Sequence, residues 1–202
     1  MIILDCGSGE TCRNDEKIVK KMIDSLDSVD TRKNHVVIKW QLFEYFPSLI
    51  PLDCDVYKYA YDYAKSLRYE TTASVFDKRS LDILMRLKVP FVKLANIPKL
   101  KSLIGEIPRK VEVIRSISNP EEMDFNYHVY YLKCIRKYPA RAEDYEKDDI
   151  GKYSGISDHT EDFELYKKYS PGIYETHFKL EDSIGADSGP WAKTPEQLRE
   201  IL

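Results

Sequence analysis

Short runs rich in Val, Ile and other apolar residues alternate with amphipathic stretches along almost the whole chain. Strand patterns stand at residues 2–6, 35–43, 71–76 and 91–95, then at 111–117, 127–135, 153–157 and 172–178. Helical patterns lie between them. Residues 15–29 carry Ile18, Met22, Ile23 and Leu26 on one stripe, with Asn14 as the expected N-cap. After a Pro-containing connection at 46–55, residues 56–67 form the next helix. Asp77 is expected to cap a helix whose Leu81, Leu84, Met85 and Leu87 face inward, and Pro90 ends it. Residues 98–107 read as a short helical turn, and Pro120 starts one too brief to be a full layer. Residues 142–152 read as a solvated loop or ragged helix, and 160–169 as the last helix.

Eight strands separated by helical or compressed crossovers predict a single-domain parallel α/β fold, a compact (β/α)8 TIM barrel with shortened helices and loops. The 202 residues sit at the lower limit of roughly 200 for such a barrel. An open doubly wound sheet is the competing arrangement, and it would carry a glycine-rich first turn. Cys6-Gly7-Ser8-Gly9-Glu10 lacks the third glycine, and the acidic residue expected after the next strand is missing too.

Composition removes several classes. Net charge is -3, with acidic and basic residues mixed along the chain, so neither nucleic acid nor an anionic membrane is an expected partner. The 15 tyrosines are scattered, which suits half-buried rings better than a base-stacking platform. No stretch approaches the roughly 20 apolar residues of a membrane helix. Ile2-Ile3-Leu4 reads as a strand rather than a signal peptide, and Cys6, Cys12, Cys54 and Cys134 lack CxxC spacing. A soluble, reduced, cytoplasmic chain is expected, with Cys6 and Cys134 as small core residues.

In a barrel the active site gathers at the C-terminal strand ends. Alternation places Val37, Lys39 and Gln41 on one face of strand two, and strand four ends Phe91-Val92-Lys93. Two inward lysines at matching depth call for an anion, of which phosphate is the commonest dianion. Ser74, Arg115, Ser116, Arg136 and Ser157 close other strands with suitable donors. His159 and His177 close the last two strands, which in a barrel lie about 4.8 Å apart, so both imidazoles can share one cation. Glu175 points the same way as His177, leaving open whether it is a third ligand, an orienting partner or a proton carrier. So few protein ligands beside phosphate favour exchangeable Mn or Mg over structural zinc. His35 and His128 read as structural or surface residues.

Taken together, these motifs resemble the sialic acid synthase family, which condenses phosphoenolpyruvate with an N-acetylated hexose into nine-carbon acid sugars. Ile38-Lys39-Trp40-Gln41 is similar to the family's Lys-Phe-Gln, Ala73-Ser74-Val75-Phe76 to its Ser-Thr-Pro-Phe, and Val89-Pro90-Phe91-Val92-Lys93 to its Val-Pro-x-x-Lys. Tyr138-Pro139, Ser157-Asp158-His159-Thr160, Glu175-Thr176-His177-Phe178 and Gly185-Ala186-Asp187 follow in register, and Thr194-Pro195-Glu196 echoes the segment after them. The resemblance implies that Lys39, Ser74, Lys93, Tyr138 and Ser157 hold phosphoenolpyruvate. It also implies that His159 and His177 bind the metal and that Gln41 and Asp187 touch an N-acetylmannosamine-like acceptor. The implied reaction joins the methylene carbon of phosphoenolpyruvate to the open-chain aldehyde, adds water and releases phosphate.

Departures from the family pattern bear on mechanism. The family's strand four continues Lys-x-x-Ser-x-Glu, but Pro98 stands at the glutamate position and cannot carry a proton. Glu10, Glu112 and Glu175 are the candidate substitutes, with Glu112 facing away if Val111 and Val113 point inward. Arg115-Ser116-Ile117-Ser118 replaces Ser-Thr-Gly-Met, and Arg136 replaces an Asn. If both arginines point in, phosphate binding is rebuilt or a more acidic acceptor is used. Strand one is reduced to Asp5-Cys6-Gly7-Ser8-Gly9, and a single barrel without the family's C-terminal antifreeze-like domain is expected. A homodimer through exposed tyrosines remains open. The expected function is a metal-dependent transferase, a phosphoenolpyruvate-dependent sugar acid synthase. The alternatives are a metal-dependent aldolase or isomerase and a barrel that binds sugar acids without turnover.

Overall fold

The computed structural model describes residues 1–33, 35–124, 128–145 and 150–202. In chain order run β1 (Ile2–Asp5), α1 (Gly9–Cys12), α2 (Glu16–Asp27), β2 (Val36–Leu42), α3 (Cys54–Ser66), β3 (Glu70–Val75), α4 (Lys78–Leu84) and β4 (Phe91–Leu94). Then follow β5 (Glu112–Ile117), β6 (Val129–Cys134), α5 (Ala142–Tyr145), β7 (Gly155–Asp158), α6 (Glu164–Tyr169), β8 (Ile173–Phe178), β9 (Ala192–Lys193) and α7 (Pro195–Leu198). Single 3₁₀ segments at Pro98–Glu106, Pro120–Glu122 and Ile150–Lys152 replace fuller helices.

Neighbouring strands pair in parallel from β1 to β8, and β1 also pairs with β8, so the eight strands close into the expected barrel. The sheet carries one strand the pattern did not foretell. β9 adds two residues to the top of β8, pairing Ala192 with His177 and Lys193 with Phe178. A two-residue strand has too little pattern to read. Residue 127 of the expected sixth strand and residues 146–149 of the expected loop lie outside the described residues.

Helix α2 is capped by Asp15, whose carboxylate accepts from Lys17 N–H, and not by Asn14. Asn14 sits one residue too early, at φ 47°, and its side chain instead joins Pro51 O and Asp53 N. Asp77 does cap α4, accepting from Ser80 N at 2.7 Å. No described helix is long and apolar enough to cross a membrane.

Period-two alternation sorts the strands into two packing zones. Leu4, Ile38, Ala73, Val92, Val113 and Ile156 face outward and join the helices in the main core. Ile3, Val37, Phe91, Ile114 and Leu132 face inward and plug the barrel floor. Gly155 is part of that geometry, since a Cβ there would come 1.9 Å from the Ile173 carbonyl oxygen. One layer above the plug the interior turns polar.

Candidate active site

Above the plug lies a cavity of about 520 Å³ at the C-terminal ends of the strands. Its floor is ionic. Lys39 Nζ lies 2.6 Å from Asp5 Oδ2, 3.0 Å from Glu175 Oε1 and 2.9 Å from Ser74 Oγ. Lys93 Nζ lies 3.2 Å from Glu175 Oε2 and donates to Ser116 Oγ at 2.8 Å and to Leu94 O. Glu175 therefore bridges the two lysines. Burial opposes charge on all three groups. For Lys39 the Asp5 and Glu175 carboxylates outweigh it and raise the ammonium pKa. For Lys93, which shares only Glu175, burial prevails and the pKa falls. In Glu175 both lysines overcome burial and hold the carboxyl well below its usual range.

The rim carries the imidazoles. The ring centroids of His159 and His177 are 5.4 Å apart. His159 Nδ1 lies 2.7 Å from the Ile135 carbonyl, which can only accept, so Nδ1 bears the proton and Nε2 keeps its lone pair. Burial, reinforced by the charge of His177, lowers the His159 pKa to about 3. His177 goes the other way: burial is overcome by Asp5 and Asp187, the latter 3.3 Å from Nδ1. Gln41 Nε2 donates to Asp5 Oδ2 at 3.1 Å and Asp187 Oδ1 at 3.0 Å. Asp187 arrives on the β8–β9 loop, where Glu10 accepts from Ala186 N.

A neutral His159, oriented by a backbone carbonyl, is the usual presentation of a metal-binding imidazole. Among the described residues no group of three or more His, Cys, Asp or Glu could hold a metal ion. Two imidazoles alone would leave most of a cation's coordination to substrate or water oxygens. Glu175 is engaged by the lysines.

Most of the expected site residues share this cavity: Lys39, Gln41, Ser74, Lys93, Arg136, Tyr138, Ser157, His159, Glu175, His177 and Asp187 all line it. Arg136 is exposed at the rim. Arg115 does not join them. Ser116 takes the inward position on β5, so Arg115 faces outward, 3.5 Å from the Glu122 carboxylate. Of the carboxylates considered in place of Pro98, only Glu175 reaches the cavity. Glu10 fastens the β8–β9 loop, and Glu112 is exposed, beside Tyr130 OH at 3.3 Å. The expected reason fails, because Val113 packs outward against the helices and alternation gives Glu112 the inward parity of Ile114 and Ser116; it misses the cavity because it starts β5, at the opposite end of the strand. Cys134 is a cavity residue, its thiol pushed up to about 11 by burial.

Other lining residues escaped the sequence reading. Asp5 had a usable signal, because alternation through Ile3 puts a carboxylate inward at the end of β1. Phe46, Leu49, Ile97 and Trp191, which with Phe76 make the apolar wall, had none, since they lie in loops without periodicity; Phe76 stood in the Ala73-Ser74-Val75-Phe76 motif, which gave it no role. Edge-to-face packing of Phe76 on both Phe43 and Phe46 stiffens that wall.

Comparison with known proteins places this geometry in context. The model of the NeuB family matches residues 13–202. No curated protein matches. The N-acetylneuraminic acid (sialic acid) synthetase of Leptospira borgpetersenii, solved with citrate, superposes with a TM-score of 0.78 at 18% identity, covering 98% of this chain and 80% of that one. The spore coat polysaccharide biosynthesis protein SpsE of Bacillus subtilis gives a TM-score of 0.77 at 17% identity, over 99% of this chain and 65% of that one. Phospho-2-dehydro-3-deoxyheptonate aldolase of Thermotoga maritima gives 0.65 at 11% identity, over 99% of this chain and 66% of that one. At these identities the structural likeness speaks to the fold.

Proposed function

Because the chain belongs to the NeuB family, we propose that it is a sugar acid synthase joining phosphoenolpyruvate to an open-chain N-acylated amino sugar, with release of phosphate. The observation that carries this reading is the stacking of two layers in one cavity. A lysine floor bridged by Glu175 lies beneath two imidazoles at the rim. The floor suits the phosphate, with Ser74, Ser116 and Ser157 as hydroxyl donors. Arg136 suits the anionic groups nearer the mouth. The apolar wall of Phe46, Leu49, Phe76 and Ile97 suits the acyl group of the acceptor.

An Mn or Mg ion held by His159 and His177 would supply Lewis acidity toward the acceptor's aldehyde. The chain's own groups do the rest. Gln41 and Asp187 orient the acceptor's hydroxyls so that its aldehyde carbon faces the methylene carbon of phosphoenolpyruvate. Bond formation opens the aldehyde's carbon–oxygen double bond, whose oxygen takes a proton from solvent, and leaves positive charge at the enol carbon, where water adds. Glu175, kept ionised by its lysines, accepts the water's proton. Collapse of the tetrahedral adduct breaks the carbon–oxygen bond to phosphate, and Lys39 and Lys93 stabilise the departing charge. Free Cys6, Cys12 and Cys134, all buried, are consistent with a reducing cytoplasm.

The test is phosphate release from phosphoenolpyruvate with Mn and a panel of N-acylated amino sugars. Release that requires both acceptor and cation is expected. Normal binding of phosphoenolpyruvate and Mn with no release for any acceptor would remove the proposal.

A further inference from the structure

Lys193 is fully buried on β9, at 0% exposure, outside the catalytic cavity. A buried ammonium is costly unless something satisfies it. Among the described residues no carboxylate lies within ion-pair distance of it. Its donors go to two backbone carbonyls, Thr160 O and, at 3.2 Å, Trp191 O, and its Nζ lies 5.4 Å from the centre of the Phe163 ring. Both carbonyls matter to the site. Thr160 immediately follows His159, and the Trp191 ring meets Tyr138 at 5.3 Å, which stacks on the His159 imidazole at 4.1 Å. The contacts close a circuit from Lys193 through Thr160, His159, Tyr138 and Trp191 back to Lys193.

Other bonds hold His159 from the opposite side: Nδ1 to Ile135 O, its N–H to Tyr145 OH at 3.0 Å and its carbonyl from Ala140 N at 2.9 Å. None of these ties the β7 loop to the β8–β9 loop. Among the described residues only Lys193 does so by hydrogen bonds within the circuit. We propose that Lys193 is a positioning residue whose ammonium, together with the Trp191 ring, fixes the aim of the His159 imidazole into the cavity.

This role rests on reading the cavity as catalytic, but its test needs no substrate, so either idea can fail alone. In ¹⁵N-histidine-labelled protein, with His159 assigned by His159→Ala, solvent exchange of the Nδ1 proton is followed by NMR. Lys193→Met is expected to speed that exchange at least tenfold while the backbone amide of Ile3, in the barrel floor, keeps its wild-type protection. Unchanged exchange at His159 overturns the proposal, as does equal loss of protection at Ile3, which would mark a general loosening. Should Lys193→Met not fold, Trp191→Leu breaks the circuit at its other support and is read by the same two protons. Fast His159 exchange over an intact floor is expected, and unchanged exchange overturns the idea.

Discussion

Replacing Glu175 by Gln tests the ionic floor with almost no change of shape. The carboxylate and Lys93 are 5% and 2% exposed, so solvent cannot take over for the lost charge. Removing one partner of a buried ion pair typically costs about 3–5 kcal/mol. Two features place this case near the lower end. Lys39 keeps Asp5 at 2.6 Å, and Lys93, its pKa already lowered by burial, can shed its proton. A loss of about 3 kcal/mol corresponds to a fall in Tm of roughly 6–12 °C for a chain of this size. The variant should also respond more strongly to inorganic phosphate. Among the described residues Lys93 then keeps only a hydroxyl and a carbonyl, so a bound phosphate draws back any proton it has shed and pairs with an ammonium that Glu175 neutralises in wild type, and binding to the native state raises Tm. Thermal denaturation with and without phosphate measures both effects. A fall in Tm below about 2 °C, or a phosphate shift no greater than in wild type, would refute the reasoning behind both numbers.

Three more outcomes follow from placement. Arg115→Met should cost about 1–3 kcal/mol by removing a charged donor from the Glu122 carboxylate and carbonyl, while Glu122 keeps the Ser118 and Asn119 N–H groups, yet leave phosphoenolpyruvate affinity unchanged by calorimetry; weaker binding would mean that Arg115 reaches the cavity. Gly155→Ala drives a Cβ into the Ile173 carbonyl and should cost about 3 kcal/mol or more, read as a shifted urea midpoint; a wild-type midpoint would contradict the floor packing. His159→Ala and His177→Ala should each weaken Mn binding, followed by electron paramagnetic resonance, by at least about tenfold; full affinity in either variant removes that residue from the cation site.

The barrel was legible because alternation and apolar runs survive in eight strands, and each inward lysine was visible as a charge where an aliphatic belongs. The same parity, applied one residue differently, misplaces Arg115. Both Arg115 and Ser116 close β5 with phosphate donors, and only the register against the floor residue Ile114 decides which faces in. Side chains on loops were hidden for a different reason. Trp191 and Asp187 reach the cavity because Lys193, Lys179 and Glu10 fasten the β8–β9 loop through its backbone, and backbone carbonyls leave no mark in sequence. Asp187 was found through its Gly-Ala-Asp motif, whereas of the apolar wall only Phe76 stood in a motif, and that motif gave it no role.

The charge balance of the cavity implies that its two ligands help each other. Asp5, Glu175 and Asp187 face Lys39, Lys93 and Arg136, so the lining is close to neutral before anything binds. Phosphoenolpyruvate would bring a carboxylate and a phosphate into a space where buried charge is weakly screened. With the lining's own charges already matched, a cation between the imidazoles is what offsets the added charge. Mn should therefore tighten phosphoenolpyruvate binding, and phosphoenolpyruvate should tighten Mn binding by the same factor, as linkage requires. Typical couplings of about 1–3 kcal/mol translate into roughly 5–150-fold. Titrating each ligand with and without the other gives the two factors independently. Equal affinities in both arms would mean that phosphoenolpyruvate sits beyond reach of the imidazoles, and the layered reading of the cavity would not stand.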